Sequence, residues 1–288
     1  MRLTNGKRFW RMARRWHALL LAALGVTFAG AWAWSWVPET TVVRVQAGEG
    51  AGTEPLRMAL VTDLHSCRYG KGQQGLIKRL EKADPDLVML AGDILDDKLP
   101  DGNALEFLKS AAERWPCFYV SGNHEYWSHR IGEMKEKIRA CGVRVLEGEC
   151  VAVDCKGWRL DVAGVDDPTY MATEDWLAQL DAAQAGRSAG RWGVLLSHRP
   201  ERWAAYKGRG FGLVLSGHAH GGQIRVPFAG CGLLAPNQGL FPALVDGVHE
   251  LVDGTTLVIS RGLARESTPY PRFFNQPELV VVVAEPEP

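Results

Sequence analysis

The chain has 288 residues, 46% of them hydrophobic, with 33 basic and 33 acidic side chains and a formal net charge of zero. That apolar content is ample for a sizeable core, in one large domain or two small ones. The even charge balance excludes recognition of nucleic acid by a basic face, and no nucleic-acid partner is expected.

Five of the eleven tryptophans fall before residue 37, so the N-terminus is a different kind of segment from the rest. Residues 1–16 form a basic segment with Arg2, Lys7, Arg8, Arg11, Arg14 and Arg15, and no charged residue occurs from Ala18 to Val37. Twenty residues of helix reach about 30 Å, the thickness of a bilayer's hydrocarbon core. Trp16 at one end and Trp32, Trp34 and Trp36 at the other sit where amphipathic rings favour the headgroups. A cleaved signal peptide, cut near Ala29-Gly30-Ala31, fits less well because the apolar run is long for one. Arg14-Arg15 makes a poor twin-arginine signal, since His17 and Ala18 follow where apolar residues are expected. Residues 17–37 are therefore expected to be a single-pass signal anchor in the inner (cytoplasmic) membrane. The basic cluster precedes the span, which puts the C-terminal domain outside the cytoplasm.

Gly48, Gly50 and Gly52 mark residues 38–56 as a linker to a single domain over 57–288. The six cysteines lack CxxC spacing, so a structural zinc site is not expected. Cys150 and Cys155 either bridge a hairpin or pack as apolar thiols.

From Met58 onward, apolar runs of strand length alternate with helical spacing. Strands are expected at 58–61, 86–91 and 117–120, with helices at 74–83, 103–114 and 130–140 between and after them. Short strands near 144–145, 151–154 and 159–163, a helix at 173–183 and strands at 193–196 and 211–215 follow. The pattern predicts an α/β fold with two packed sheets.

Each of five strands is followed directly by side chains of metal-ligand type: Asp63 and His65, Asp93, Asn123 and His124, His198, then His218 and His220. In open α/β sheets a ligand site lies outside the carboxyl ends of the strands. Singly, each has a bland reading: Asp63 as a helix cap, Asn123 as a turn residue, His198 as a core histidine. Five such coincidences at one sheet end are better explained by one metal site.

Asp63-Leu64-His65, Gly92-Asp93, Gly122-Asn123-His124-Glu125, His198 and Gly217-His218-Ala219-His220 resemble, in order and spacing, the motif blocks of the calcineurin-like metallophosphoesterases. The resemblance spans Arg57 to Glu285. Gly221-Gly222-Gln223 and the tail Pro271 to Leu279 look like the bacterial membrane-associated phosphodiesterase branch. It implies a four-layer α/β/β/α sandwich of two packed mixed sheets flanked by helices, here preceded by one transmembrane helix. It also implies two divalent metal ions. Asp63, His65 and His220 would hold the first, Asn123, His198 and His218 the second, with Asp93 shared. This donor set suits manganese first, with iron or zinc as the other candidates. Water activated between the ions would attack phosphorus, and His124 would serve as the catalytic acid or charge stabiliser. Arg199, in Ser197-His198-Arg199, departs from the small or polar residue often found there.

Loops after these motifs offer Arg68, Tyr126 and Arg225 as substrate-binding candidates, together with Asp96, Asp97 and Trp127. Asp161, Asp166 and Asp167 read as strand-end and turn residues. The apolar, glycine- and proline-rich stretch Val226 to Ala243, with Phe228, Leu240 and Phe241, either rests on the bilayer or packs back on its own domain. The expected function is membrane-anchored hydrolysis of phosphodiester or pyrophosphate bonds in a phosphorylated lipid, envelope compound or small-molecule phosphodiester. The alternatives are a UDP-2,3-diacylglucosamine diphosphatase of lipid A biosynthesis and, in another class, an inactive metal-binding scaffold. The scaffold reading is disfavoured, since every ligand position and His124 are present. No obligate protein partner is evident.

Overall fold

The protein, seen in a computed structural model, is described for residues 4–226, 230–265 and 270–286; Arg2 and Phe228 lie outside them. Helix α1 (Thr4–Trp34) leads into strand β1 (Glu39–Gln46). The first half then alternates β2 (Leu56–Val61), α2 (Gln74–Ala83), β3 (Leu87–Ala91), α3 (Gly102–Ala112), β4 (Cys117–Val120), α4 (Asn123–Trp127), α5 (Ile131–Ala140) and β5 (Arg144–Val145). The second half holds β6 (Glu149–Cys155), β7 (Trp158–Gly164), α6 (Thr173–Ala185), β8 (Trp192–Leu196), α7 (Trp203–Tyr206) and β9 (Leu213–Ser216). It ends with β10 (Leu234–Ala235), β11 (Gly239–Leu240), β12 (Gly247–Glu250), β13 (Thr256–Ile259) and β14 (Glu278–Glu285).

Two mixed sheets result, in the orders β1-β14-β2-β3-β4-β5 and β12-β13-β9-β8-β7-β6. The central strands β2, β3 and β4 run parallel in the first sheet, and β7, β8, β9 and β13 in the second. Successive side chains of a strand point to opposite faces, and both faces here are buried, which explains the unbroken apolar runs. Met58, Leu60, Leu87 and Met89 meet Val162, Val194, Leu213 and Leu215 between the sheets. Ala59, Val61, Val88 and Leu90 instead face Leu76, Leu80, Phe107, Leu108 and Ile138 of α2, α3 and α5. Trp176 and Leu180 of α6 cover the outer face of the second sheet. The layers are therefore α/β/β/α, as the resemblance implies. Each fully buried large aliphatic side chain contributes about 1.5–3 kcal/mol.

One expectation is corrected. Residues 39–46, taken for part of a linker, form β1, paired in parallel with β14 from Glu39↔Glu278 to Gln46↔Glu285. The β-branched run Thr40-Thr41-Val42-Val43 suits an edge strand, and Val45 reaches the core between the sheets. Of the two readings left open for Cys150 and Cys155, the unbridged thiols are the ones found: both lie on β6, opposite Ala163 and Trp158, and all six cysteines are free.

Within α1, residues Met12–Trp34 are long and apolar enough to cross a membrane, and nearly all of them are exposed. Its C-terminal end is fastened to the domain. Ala31 and Ser35 are buried there. The Phe28 ring meets Phe273 edge-on at 6.4 Å, and Arg265 lies 5.5 Å over the Trp36 ring. Gln276 Nε2 donates to the Val37 carbonyl at 3.0 Å.

Candidate metal centre

Strands β2, β3, β4, β8 and β9 all end at the same edge of the sandwich, and each feeds one predicted ligand block into the crevice there. The chain turns sharply as it leaves the sheets. Asp63, His65, Asp93, His218 and His220 all adopt positive φ, between 48° and 68°. Left-handed backbone at non-glycine residues costs about 1–3 kcal/mol each, and such strain is tolerated where surrounding bonds fix it. Asp63 N–H donates to the Gly92 carbonyl at 3.0 Å, and His65 N–H to that of Asp93 at 2.9 Å. Two glycines make the close approach feasible. A Cβ on Gly122 would collide with Asp93 Oδ1, and one on Gly217 with Thr62 Oγ1 and the Asp63 carboxylate.

Among the described residues four groups of donors converge, each with its donor atoms within 4.8 Å of one another. Two of them, Asp63, His65 and His220, and Asp93, His198 and His218, match the predicted ligand sets; the others join His124 to His65 and Asp93 and to Asp96 and Asp97. Asn123 is buried and follows Gly122, whose Cα abuts Asp93. Five buried atoms from these residues have no hydrogen-bond partner among the described residues: His65 Nε2, Asp93 Oδ2, Asn123 Oδ1, His198 Nε2 and His220 Nδ1. An orphaned buried polar atom costs about 1–3 kcal/mol. His198 Nε2 comes within 3.1 Å of Asp93 Oδ2, and His65 Nε2 within 3.6 Å, without hydrogen-bond alignment. Lone pairs aimed at one another in this way fit a divalent cation between them.

Electrostatics agree with that fit. Burial opposes charge on Asp93, yet His198, His124 and His65 hold its carboxyl well below the usual range. Burial and the neighbouring Asp93 charge push Asp63 up, against the pull of His198 and His65. Burial, the Arg199 guanidinium and His198 press His218 down to about 3, and burial with His65 and Arg272 depresses His220. Both imidazoles are thereby kept in the neutral form that binds metal.

The supporting bonds are specific. His65 Nδ1 meets Asp96 Oδ2 at 3.0 Å and His198 Nδ1 meets the Ala91 carbonyl at 2.8 Å, leaving each Nε2 for an ion. Glu125, fully buried, accepts N–H bonds from Asp93, Ile94, Leu95 and Gly122 at 2.7–3.1 Å and fixes the loop that carries Asp93. His124 stands at the crevice mouth. Its Nδ1 is 2.6 Å from Asp97 Oδ1 and 3.5 Å from Asp96 Oδ2. Burial resists charge there, but Asp93, Asp96 and Asp97 raise it to about 9.

Substrate candidates fare differently. Arg68 is exposed and does not line the cavity beside His124. Arg225 is bound to Asp246 at 2.7 Å and to the Gly230 carbonyl at 2.9 Å, and it lines a separate cavity with Trp34 and Thr41. Tyr126 points inward, 5.9 Å beneath Lys135, and burial pushes its phenol up. Its neighbour Trp127 is the one that walls the cavity. The sequence reading missed the roles of Glu125, Arg199, Asp167 and Asn237. Arg199 is buried and doubly bonded to Asp167 at 2.5 and 3.0 Å, so Asp167 is more than a turn residue. Asn237 carries no sequence signal beyond a Pro-Asn turn.

The two-sheet α/β/β/α sandwich with these donor groups is the pattern of the metallophosphoesterase class. The calcineurin-like phosphoesterase family matches residues 56–222, more than half of the chain, and the chain belongs to that family. It is 29% identical over 231 residues to the uncharacterized metallophosphoesterase Cj0846 of Campylobacter jejuni, covering 79% of this chain and 58% of that protein. It is 27% identical over 186 residues to the Escherichia coli phosphodiesterase YaeI, covering 61% and 64%. A Bos taurus transmembrane protein with metallophosphoesterase domain is 24% identical over 246 residues, covering 81% and 54%. The chain thus spans less than two thirds of the length of each of these relatives.

Proposed function

We propose that this is a membrane-anchored phosphoesterase that uses two divalent ions to split a phosphodiester or pyrophosphate bond in a phosphorylated lipid. One observation carries the lipid reading: a cavity of about 530 Å³ that starts at His124 and His220 and continues along Trp127, Leu234, Ala235 and Pro236. A polar end beside the metal donors and an apolar wall beyond it suit a substrate with a phosphate and an acyl or similar apolar part. Lys98 at the rim adds a cation for a second phosphate.

The same wall is joined to α1. Phe273, against which Phe28 packs, bridges Ile224; Arg225 bridges Gly232; and Leu234 pairs with Leu240. Leu240 and Phe241 are 69% and 65% exposed. If Met12–Trp34 spans the bilayer, these side chains lie near its surface, where a lipid enters. The basic N-terminal residues favour a catalytic domain outside the cytoplasm, by the positive-inside rule.

In this reading Asp63, His65 and His220 hold one ion, Asn123, His198 and His218 the other, and Asp93 both; the five orphaned atoms support the assignment. Bound divalent ions supply a water of lowered pKa and positive charge for the phosphoryl oxygens. Manganese is the first candidate, with iron and zinc next. His124, held through Nδ1 by Asp97, keeps Nε2 to donate a proton to the leaving oxygen.

The test uses the full chain in detergent with manganese. Rates are compared for UDP-2,3-diacylglucosamine, for UDP-N-acetylglucosamine as an analogue without the long acyl chains, and for an aryl phosphodiester, each with a chelator control. Burying three methylenes at about 0.8 kcal/mol each gives roughly a 50-fold preference in kcat/KM for the acylated compound. Equal kcat/KM with and without acyl chains would sink the lipid reading. A high rate on UDP-2,3-diacylglucosamine itself would favour the lipid A alternative, and with it a cytoplasmic face.

A further inference from the structure

We infer that Asn237 is a positioning residue for His218, tying one half of the metal centre to the hairpin that walls the cavity. The inference rests on the two-ion reading above. Asn237 lies in the turn between β10 and β11 at φ 60°. Its Oδ1 is 2.7 Å from Arg199 Nη1 and 3.0 Å from His218 Nε2.

The bonding to Arg199 fixes the Asn237 amide, and the two-ion reading then sets the histidine. A guanidinium has donors and no acceptor, so the amide atom facing Arg199 is the oxygen and not the NH₂. That same oxygen faces His218 Nε2. For Nδ1 to offer its lone pair to the ion that Asp93 and His198 would share, Nε2 must carry the hydrogen, and the Asn237 oxygen is an acceptor within reach of it. Arg199 Nη1 lies 3.1 Å from Nε2, and two donors meet on one carbonyl oxygen with two lone pairs. Behind them Asp167 holds Arg199 at 2.5 and 3.0 Å, and Thr169 Oγ1 accepts at 2.9 Å. The guanidinium is nearly fully buried and cannot swing away. Asp167, Arg199 and Asn237 thus form a brace ending on a metal-type histidine.

The brace also couples two parts of the crevice. Asn237, Leu234, Ala235 and Gly239 all line the cavity. Any shift of this hairpin as substrate enters moves the oxygen that orients His218. Partners of this kind around metal ligands are worth about 10–100-fold in metal affinity.

The experiment is an equilibrium Mn²⁺ titration of the full chain in detergent, with free Mn²⁺ read by electron paramagnetic resonance. Asn237→Ala should weaken one of two binding steps about 10–100-fold and leave the other unchanged. The melting temperature of the ion-free protein should stay within a few degrees of the native value. Asn237→Asp keeps the acceptor oxygen and should hold both steps within about threefold of native. Unchanged binding by Asn237→Ala would overturn the inference. So would a loss at both steps that tracks a lower ion-free melting temperature, since that is a folding defect. A native chain that binds fewer than two ions overturns the two-ion reading itself; two ions held at native affinity by Asn237→Ala overturn only the role of Asn237.

Discussion

Asp93→Ala should abolish hydrolysis, with kcat down by at least about a thousandfold, because it removes an anion on which the whole centre converges. Asp93 Oδ1 accepts the His124 N–H at 2.8 Å, while Oδ2 faces His198 Nε2 at 3.1 Å and His65 Nε2 at 3.6 Å. Asp63 Oδ1 also approaches both groups, but at 3.7–3.9 Å from His220, His65 and His198 it stands farther off than Asp93 does. The ion-free protein should lose stability, since Asp93 is held ionised by His198, His124 and His65 and its removal leaves those buried imidazoles without their anion. What should vanish is the stabilisation that ions confer on the native protein, about 2.7 kcal/mol at a free concentration one hundred times Kd. Melting curves with and without manganese read this directly. Retention of a tenth of native activity, or of the full manganese shift, would contradict the shared role of Asp93.

His124→Ala should act differently: turnover falls by about 10²–10⁴ while both ions still bind. The pH profile carries the sign. A proton donor is active while protonated, and the local carboxylates raise His124 to about 9. The native rate is therefore sustained below the folded-state pKa and declines as pH rises through it. Bound divalent ions add positive charge and draw that limb to lower pH. The variant should lack the alkaline limb, and its deficit should shrink for an aryl leaving group that departs without a proton. An alkaline limb that persists in His124→Ala would assign it to another group.

Much of the centre is legible because each ligand follows an apolar strand at once. Asp63, Asp93 and His198 each sit two residues past β2, β3 and β8, so strand periodicity locates them without tertiary information. The limits of α2 are equally plain, since Leu76, Ile77 and Leu80 mark one buried stripe. β1 is harder: a short Thr/Val/Arg alternation beside a glycine-rich stretch looks like a tether until β14, more than two hundred residues later, supplies its partner. Side-chain direction is harder still. Tyr126 and Trp127 are neighbours, yet the helical turn of α4 sends one inward and the other to the cavity. Arg225 reads as a free cation until Asp246 appears beside it. Glu125 was visible as part of Gly122-Asn123-His124-Glu125, but only the folded backbone shows its four N–H donors.

The central claim is that seven side chains at five strand ends hold two ions, and that hydrolysis needs both. The most direct measurement is a manganese titration of ion-free, full-length protein in detergent, with bound ion and phosphodiester hydrolysis followed in the same samples. Two ions per chain, with activity rising only as the second binds, is the expected result. Full activity with one ion bound, or hydrolysis that persists after chelation, would contradict it.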